Sequence, residues 1–152
     1  MKKVQIQMLV TNPETPLPKT AYNGTSAAFD VACAETTTIN PGEFKTVPTG
    51  QRFSIDDNQP FYMQVHLRSS YGFKKGLRCH IGIIDAGYTG GFGVSVVNNT
   101  KEPVTINAGD YFAQVLVLEK PEVQFIKMNQ ITWDEYESLQ GRGAGGFGSS
   151  GK

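Results

Sequence analysis

The segment Gly82-Ile83-Ile84-Asp85-Ala86-Gly87-Tyr88-Thr89-Gly90 places a lone carboxylate between two isoleucines and a glycine-rich turn that carries an aromatic ring. A carboxylate at a strand end beside a tight turn is held in one place, as a general base or a water-orienting group requires. The plainer reading is a hairpin turn closed by the Asp85 side chain, with Tyr88 packed at its edge. A second candidate is Leu67-Arg68-Ser69-Ser70-Tyr71-Gly72, where a guanidinium and two hydroxyls stand between a strand end and a short helical turn. Backbone N–H groups at such a point, with an arginine beside them, suit phosphate. Its plainer reading is an ordinary N-cap and a surface arginine.

The glycine-rich stretch Gly141–Gly151 holds six glycines and two serines, with one arginine and one phenylalanine. No core can be built from it, and composition alone reads as a disordered tail. Gly146 to Lys152 fits the opening of a phosphate-binding loop, but that loop needs a strand before it, a helix after it and a Ser or Thr after the Lys. The phosphate-loop reading is therefore rejected. His66 and His80 are isolated, and Cys33 and Cys79 have no CxxC spacing, so no structural zinc is expected and both cysteines read as small core residues.

These groups need a scaffold, and 152 residues with 39% hydrophobic content is one domain with enough apolar material for a core. Lys plus Arg is 14 and Asp plus Glu is 14, so the basic excess of a general nucleic-acid or anionic-membrane binder is missing. No apolar run is long enough to span a bilayer, and Val4, Ile6 and Met8 alternate with glutamines as in a strand rather than a signal peptide. The default compartment is the cytoplasm.

Short alternating runs predict strands over Val4–Val10, Phe29–Ala34, Phe44–Val47, Gln51–Ile55, Phe61–Leu67, Phe92–Asn98, Val104–Ile106, Tyr111–Leu118 and Val123–Met128. Turn signals such as Asn40-Pro41-Gly42 and Asn107-Ala108-Gly109-Asp110 separate them. Many short strands with evenly spread turns indicate a sandwich, jelly roll or distorted barrel. Two short helices are expected. One is a turn through Tyr71–Lys75 capped by Ser69 or Ser70. The other opens on a capping box at Thr132-Trp133-Asp134-Glu135 and runs to Leu139.

Taken in chain order, five segments resemble the motifs of the homotrimeric dUTPases. Ala27-Ala28-Phe29-Asp30-Val31-Ala32-Cys33-Ala34 looks like the first, and Leu67-Arg68-Ser69-Ser70 resembles the second. Gly82 to Gly90 matches the third, G-x-I-D-x-x-Y-x-G. Gly109-Asp110-Tyr111-Phe112-Ala113-Gln114-Val115 resembles the fourth, and Arg142 to Gly151 is a near-complete fifth, R-G-x-G-G-(F/H)-G-S-(S/T)-G. The third and fifth are specific, and the order of all five favours the functional readings over the plainer ones. Ala28 departs from the usual glycine, Leu67 from the usual proline and Gly87 from a common acidic residue. Cys79, six residues before Asp85, stands where many members place an asparagine near the base.

The resemblance implies an all-β distorted jelly roll (a β-clip of the trimeric dUTPase type), with a β core over 1–128 and a flexible C-terminal arm over 129–152. It implies hydrolysis of dUTP to dUMP and diphosphate in a homotrimer with shared active sites. Motifs one, two and four would come from one subunit, the third-motif hairpin from a second and the arm from a third. Asp85 would be the catalytic base. Arg68, Ser69, Ser70 and Gln114 would hold phosphate oxygens, and Arg142 would neutralise the departing diphosphate. Mg²⁺ would meet the protein through water at Asp30, while Asp110 would orient Arg68. The hairpin Cys79–Asp85 and Tyr88–Gly93 would read uracil through the backbone at Ile83, Ile84 and Gly93, with Cys79 near the base and Tyr88 under the deoxyribose. Phe147 and Gly148 would close over the nucleotide. On the same fold, a dCTP deaminase would need an extra carboxylate near the base, and none stands beside Asp85. A non-catalytic trimeric binder would have no use for a water-activating Asp85.

Overall fold

Alternation of apolar and polar residues fixes which way each strand faces. In Phe61–Leu67, Met63 and Val65 are buried while Gln64 and His66 are not. In Tyr111–Glu119, Ala113 and Val115 are buried while Gln114 is not, and Phe112 is buried as well where the register shifts between Tyr111 and Ala113. A computed structural model, which describes residues 2–147 and 151, resolves the chain into two compact units, Met1–Pro121 and Glu122–Lys152.

The first unit is built from twelve strands: β1 Gln7–Val10, β2 Lys19–Thr20, β3 Ala28–Ala32, β4 Thr37–Ile39, β5 Phe44–Pro48, β6 Gln51–Ser54, β7 Phe61–Leu67, β8 Leu77–Cys79, β9 Gly82–Ile84, β10 Gly93–Asn98, β11 Val104–Ile106 and β12 Tyr111–Glu119. A five-stranded antiparallel sheet runs β2-β3-β12-β7-β9, and a three-stranded one runs β5-β10-β8. Two-stranded pairs β1-β6 and β11-β4 complete the unit. Val31, Met63, Val65 and Val115 from the larger sheet join Val47, Leu77, Val94 and Val96 from the smaller in one buried cluster. Phe53 lies among them at 2% exposure, its ring 4.9 Å from that of Phe92 and nearly perpendicular to it. Burial of this kind makes truncation of Phe53 to alanine cost about 3–5 kcal/mol.

The expected strands are present with small shifts at their ends, apart from Val123–Met128. That segment keeps its apolar character but has no partner ladder among the described residues, and Val123, Phe125 and Ile126 are exposed. Without a neighbour to satisfy its N–H and C=O groups, an alternating run does not become a strand. The second unit contains one helix, α1 Gln130–Ser138. Its capping box sits three residues upstream of the expected one. The Asn129 side chain accepts from the Thr132 N–H, and the Thr132 hydroxyl accepts from the Asn129 N–H. Asparagine is the stronger cap, so Thr132 becomes the third helical residue rather than the boundary. The turn after β7 forms over Ser70–Lys74, close to its expected place. Among the described residues, no helix is long and apolar enough to cross a membrane.

Candidate active site

Residues paired directly across an antiparallel ladder share a face of the sheet. Asp30 on β3 pairs with Gln114 on β12, which pairs in turn with His66 on β7. Arg68 lies two residues beyond His66, and its N–H continues the ladder to the Phe112 carbonyl at 2.9 Å. Register alone therefore brings Asp30, Gln114 and Arg68 from three distant motifs to one face.

They line a polar cleft of about 310 Å³ together with Ala21, Tyr22, Ser26, Ser69 and Ser70. Arg68 is braced from two sides: Nε lies 3.4 Å from Asp30 Oδ2, and Nη1 donates to the Tyr111 carbonyl at 3.1 Å. A guanidinium has five N–H donors in a planar fork, so this bracing leaves others free to meet a ligand. Gln114 Nε2 donates to the Leu67 carbonyl at 3.0 Å, which fixes its amide beside the arginine. Ser69 occupies the N-cap position of the following turn, yet its backbone is helical and its side chain makes no capping bond. The N-cap reading of this serine is thereby removed.

Asp110 does not orient Arg68 as expected. Its carboxylate accepts from the Tyr71 hydroxyl at 3.3 Å, and the partner of Arg68 is Asp30. Asp30 faces Arg68 through strand register, whereas Asp110 precedes β12 and is turned towards the packed ring of Tyr71. Burial, and then the charge of Asp110, push the Tyr71 phenol above its ordinary value.

The third motif forms a second cleft, of about 320 Å³, lined by Val65, Gly82 to Asp85, Tyr88 and Gly91 to Gly93. The predicted hairpin is laddered only at its base. There β8 pairs with β10 and the His80 N–H reaches the Ser95 carbonyl at 3.1 Å. Beyond that point the arms part. Gly82–Ile84 joins the edge of β7, while Gly93 and Val94 pair with Pro48 and Val47 on β5. Each arm finds its ladder in a different sheet, and the space between them becomes the cleft. Unladdered backbone facing a cleft offers amides and carbonyls to a ligand.

Gly93 is needed there for space, since a Cβ on it would stand 2.8 Å from Thr46 Cγ2. Thr46 is stiff at χ1 and pairs its hydroxyl with that of Ser95 at 3.0 Å, so it cannot easily yield. Ile83 is 62% exposed. Cys79 is half-buried against the core and does not line this cleft.

Asp85 opens a four-residue turn closed by the Tyr88 N–H on the Asp85 carbonyl at 3.3 Å. The third residue, Gly87, takes φ +83, and its N–H is anchored on the Ile55 carbonyl at 2.7 Å. A side chain at that φ is strained, which accounts for glycine in place of an acidic residue. Backbone and Gly87 make the turn, and among the described residues the Asp85 carboxylate has no hydrogen bond or ion pair. The reading of Asp85 as a turn-closing side chain therefore fails. Tyr88 is held by its hydroxyl on the Gly91 carbonyl at 2.8 Å.

The two clefts share no lining residue. Arg142 and Phe147 belong to the second unit, where Arg142 Nε donates to the Gly145 carbonyl at 2.9 Å and Phe147 is fully exposed at φ 50. Gly148 lies outside the described residues. Tyr22, Ala21 and Ser26 line the polar cleft without having been singled out in the sequence, since no pattern of residue types marks them.

The sequence profile of the dUTPase family matches residues 14–151. A deoxyuridine 5'-triphosphate nucleotidohydrolase of Haemophilus influenzae is 36% identical, with 100% of this chain and 99% of that protein covered. The enzyme of the same name from Thermobifida fusca is 32% identical, covering 97% of this chain and 79% of that protein. The backbone is similar to that of a dUTPase variant from Staphylococcus bacteriophage 80alpha with dUpNHpp. The TM-score is 0.81 at 22% identity, over 97% of this chain and 99% of that one. It is also similar to a phage phi11 dUTPase variant described with a structural Mg(II) ion, at a TM-score of 0.72 and 23% identity, over 83% of this chain and 99% of that one.

Proposed function

The chain belongs to the dUTPase family, and we propose on that footing that it hydrolyses dUTP to dUMP and diphosphate by attack of water on the α-phosphorus. The observation that carries this reading is Asp85: a carboxylate relieved of turn closure, on the wall of a cleft between two arms that ladder into different sheets. Asp85 orients a water and takes its proton as the water attacks in line. Ile83, Ile84 and Gly93 read the uracil edge through backbone groups. Tyr88 lies under the deoxyribose and leaves no room for a 2′-hydroxyl, and the narrow cleft excludes a 5-methyl.

Arg68, Ser69, Ser70 and Gln114 hold phosphate oxygens in the polar cleft. Arg142 neutralises charge on the departing diphosphate, and Phe147 with Gly148 covers the base. Among the described residues, no three His, Cys, Asp or Glu side chains converge, and one oxygen of Asp30 is given to Arg68. Such a donor set fits Mg²⁺ carried by the triphosphate, which Asp30 would hold through water rather than directly. Its contribution there is charge neutralisation along the triphosphate.

The working unit is a homotrimer with a β core over 1–128 and an arm over 129–152. Motifs one, two and four come from one chain, the third motif from a second and the arm from a third. Two observations support this. The polar cleft and the third-motif cleft are separate in the single chain, and that chain leaves Leu9, Leu17, Phe44 and Phe73 exposed. Large apolar side chains left exposed in one chain are available to be covered by a neighbouring copy. On this reading the partners are dUTP and further copies of the chain, and the compartment is the cytoplasm.

The test is product formation from a panel of the four common dNTPs, dUTP and UTP, with and without Mg²⁺. The expected result is dUMP and diphosphate from dUTP, with little turnover of the others. Ammonia from dCTP, or nucleotide binding with no turnover, would overturn the reading.

A further inference from the structure

At the rim of the polar cleft stands Tyr22, with φ 53, followed by Asn23 at φ 55. A tyrosine in the left-handed region is uncommon, because its Cβ crowds the backbone. The turn holds it there with several bonds. The Tyr22 carbonyl accepts from the Thr25 N–H at 3.2 Å and from the Thr25 hydroxyl at 2.8 Å, while the Gly24 N–H donates to the Ala21 carbonyl at 3.1 Å. The fold gains little packing in return, since Tyr22 is 84% exposed. A large ring held in solvent by a disfavoured backbone, beside Arg68, Ser69, Ser70 and Gln114, calls for an explanation outside the fold.

We propose that Tyr22 is a substrate-contacting residue whose phenolic O–H donates to an oxygen of the nucleotide's phosphate chain. This rests on the proposed function insofar as the ligand is a nucleoside triphosphate. The chemistry fits the place. A neutral donor at the rim adds a hydrogen bond to phosphate without adding a second fixed charge beside Arg68, and a rigid aromatic side chain loses little freedom on binding. Ser26 lines the same cleft, so two hydroxyl-bearing residues of this segment border it.

Tyr22→Phe removes the donor and keeps the ring. Tyr22→Gly removes both and relieves the backbone, because glycine accepts positive φ. Dissociation constants are measured by calorimetry for inorganic triphosphate, for non-hydrolysable α,β-imido-dUTP and for 2′-deoxyuridine, alongside thermal unfolding. Both variants should bind the two phosphate-bearing probes about five- to tenfold more weakly. Deoxyuridine affinity should be unchanged, and Tm unchanged for Tyr22→Phe and unchanged or raised for Tyr22→Gly. A residue with only a structural role would shift Tm instead. Equal triphosphate affinity in Tyr22→Phe and the unaltered chain would overturn the proposal, as would equal weakening of deoxyuridine. An unaltered chain that binds triphosphate but does not turn over dUTP would defeat the activity reading alone, and the triphosphate comparison would still decide on Tyr22.

Discussion

Asp30 Oδ2 faces Arg68 Nε at 3.4 Å, with the Asp30 side chain almost wholly buried and the Arg68 side chain 38% exposed. The buried partner sits on β3 and holds the exposed one where β7 ends, with Gln114 on β12 between them. The pair thus anchors Arg68 at the cleft from a buried carboxylate.

Replacing Asp30 with asparagine keeps the shape but gives up the charge. Because half of the pair is solvent-screened, the loss in urea unfolding should be small, about 1 kcal/mol. Turnover of dUTP should fall at least about tenfold, because Arg68 loses one of its two braces and Mg²⁺ would lose its water-mediated partner. Full activity with a lowered urea midpoint would show that the pair is structural only.

Asp85→Asn keeps size and most hydrogen bonding but cannot take a proton. Affinity for α,β-imido-dUTP should stay within a few-fold of the unaltered chain, while turnover falls by about 10²–10⁴. The turn should survive, because Gly87 and backbone bonds close it. Near-normal turnover would remove Asp85 from its role.

The Tyr88 ring is fixed by its hydroxyl on the Gly91 carbonyl. Tyr88→Ala should relax rejection of UTP by about ten- to a hundredfold, and rejection of dTTP much less, because the ring guards the sugar and not the base. Steady-state kcat/KM for dUTP, UTP and dTTP decides this. Equal relaxation for UTP and dTTP would put Tyr88 elsewhere.

Alkaline pH should destabilise the chain through Cys33 and Tyr71. Burial raises both groups above their ordinary values of 9.0 and 10.0, with the Asp110 charge adding to the effect on Tyr71. Groups whose folded values are raised hold their protons more tightly when folded. Their contribution is therefore complete below the unfolded values and is lost as pH climbs through the folded ones. Urea midpoints should fall as pH rises beyond about 9, less steeply in Cys33→Ala. A midpoint that rises over that range would contradict the assignment.

Much of the polar cleft was legible through the motifs, since Asp30, Arg68 and Gln114 stand in the first, second and fourth segments; strand register then explains why they meet on one face. What could not be read was the choice among partners. Cys79–Asp85 and Tyr88–Gly93 look like one hairpin, yet the arms separate because β7 and β5 offer edges that local pattern does not reveal. The same blindness affects Val123–Met128, which has strand composition and no ladder. It also affects Asp110, whose charge matched Arg68 on paper while its position matched Tyr71. The cap at Asn129 was missed for a local reason: two overlapping boxes competed, and the better capping residue prevailed. Tyr22 had no signature at all, since a positive φ at tyrosine has no counterpart in residue type.

The central claim is that one site joins Asp85 of one chain to the arm of another, and mixing two inactive chains tests it most directly. One partner carries Asp85→Asn; the other is truncated after Gln140 and so lacks Arg142 and Phe147. Each alone should form a folded trimer with little dUTPase activity. After subunit exchange, the mixture should recover a clear fraction of activity, because a mixed trimer contains a site with an intact Asp85 and an intact arm. A monomer in solution, or confirmed exchange with no recovery, would contradict the account.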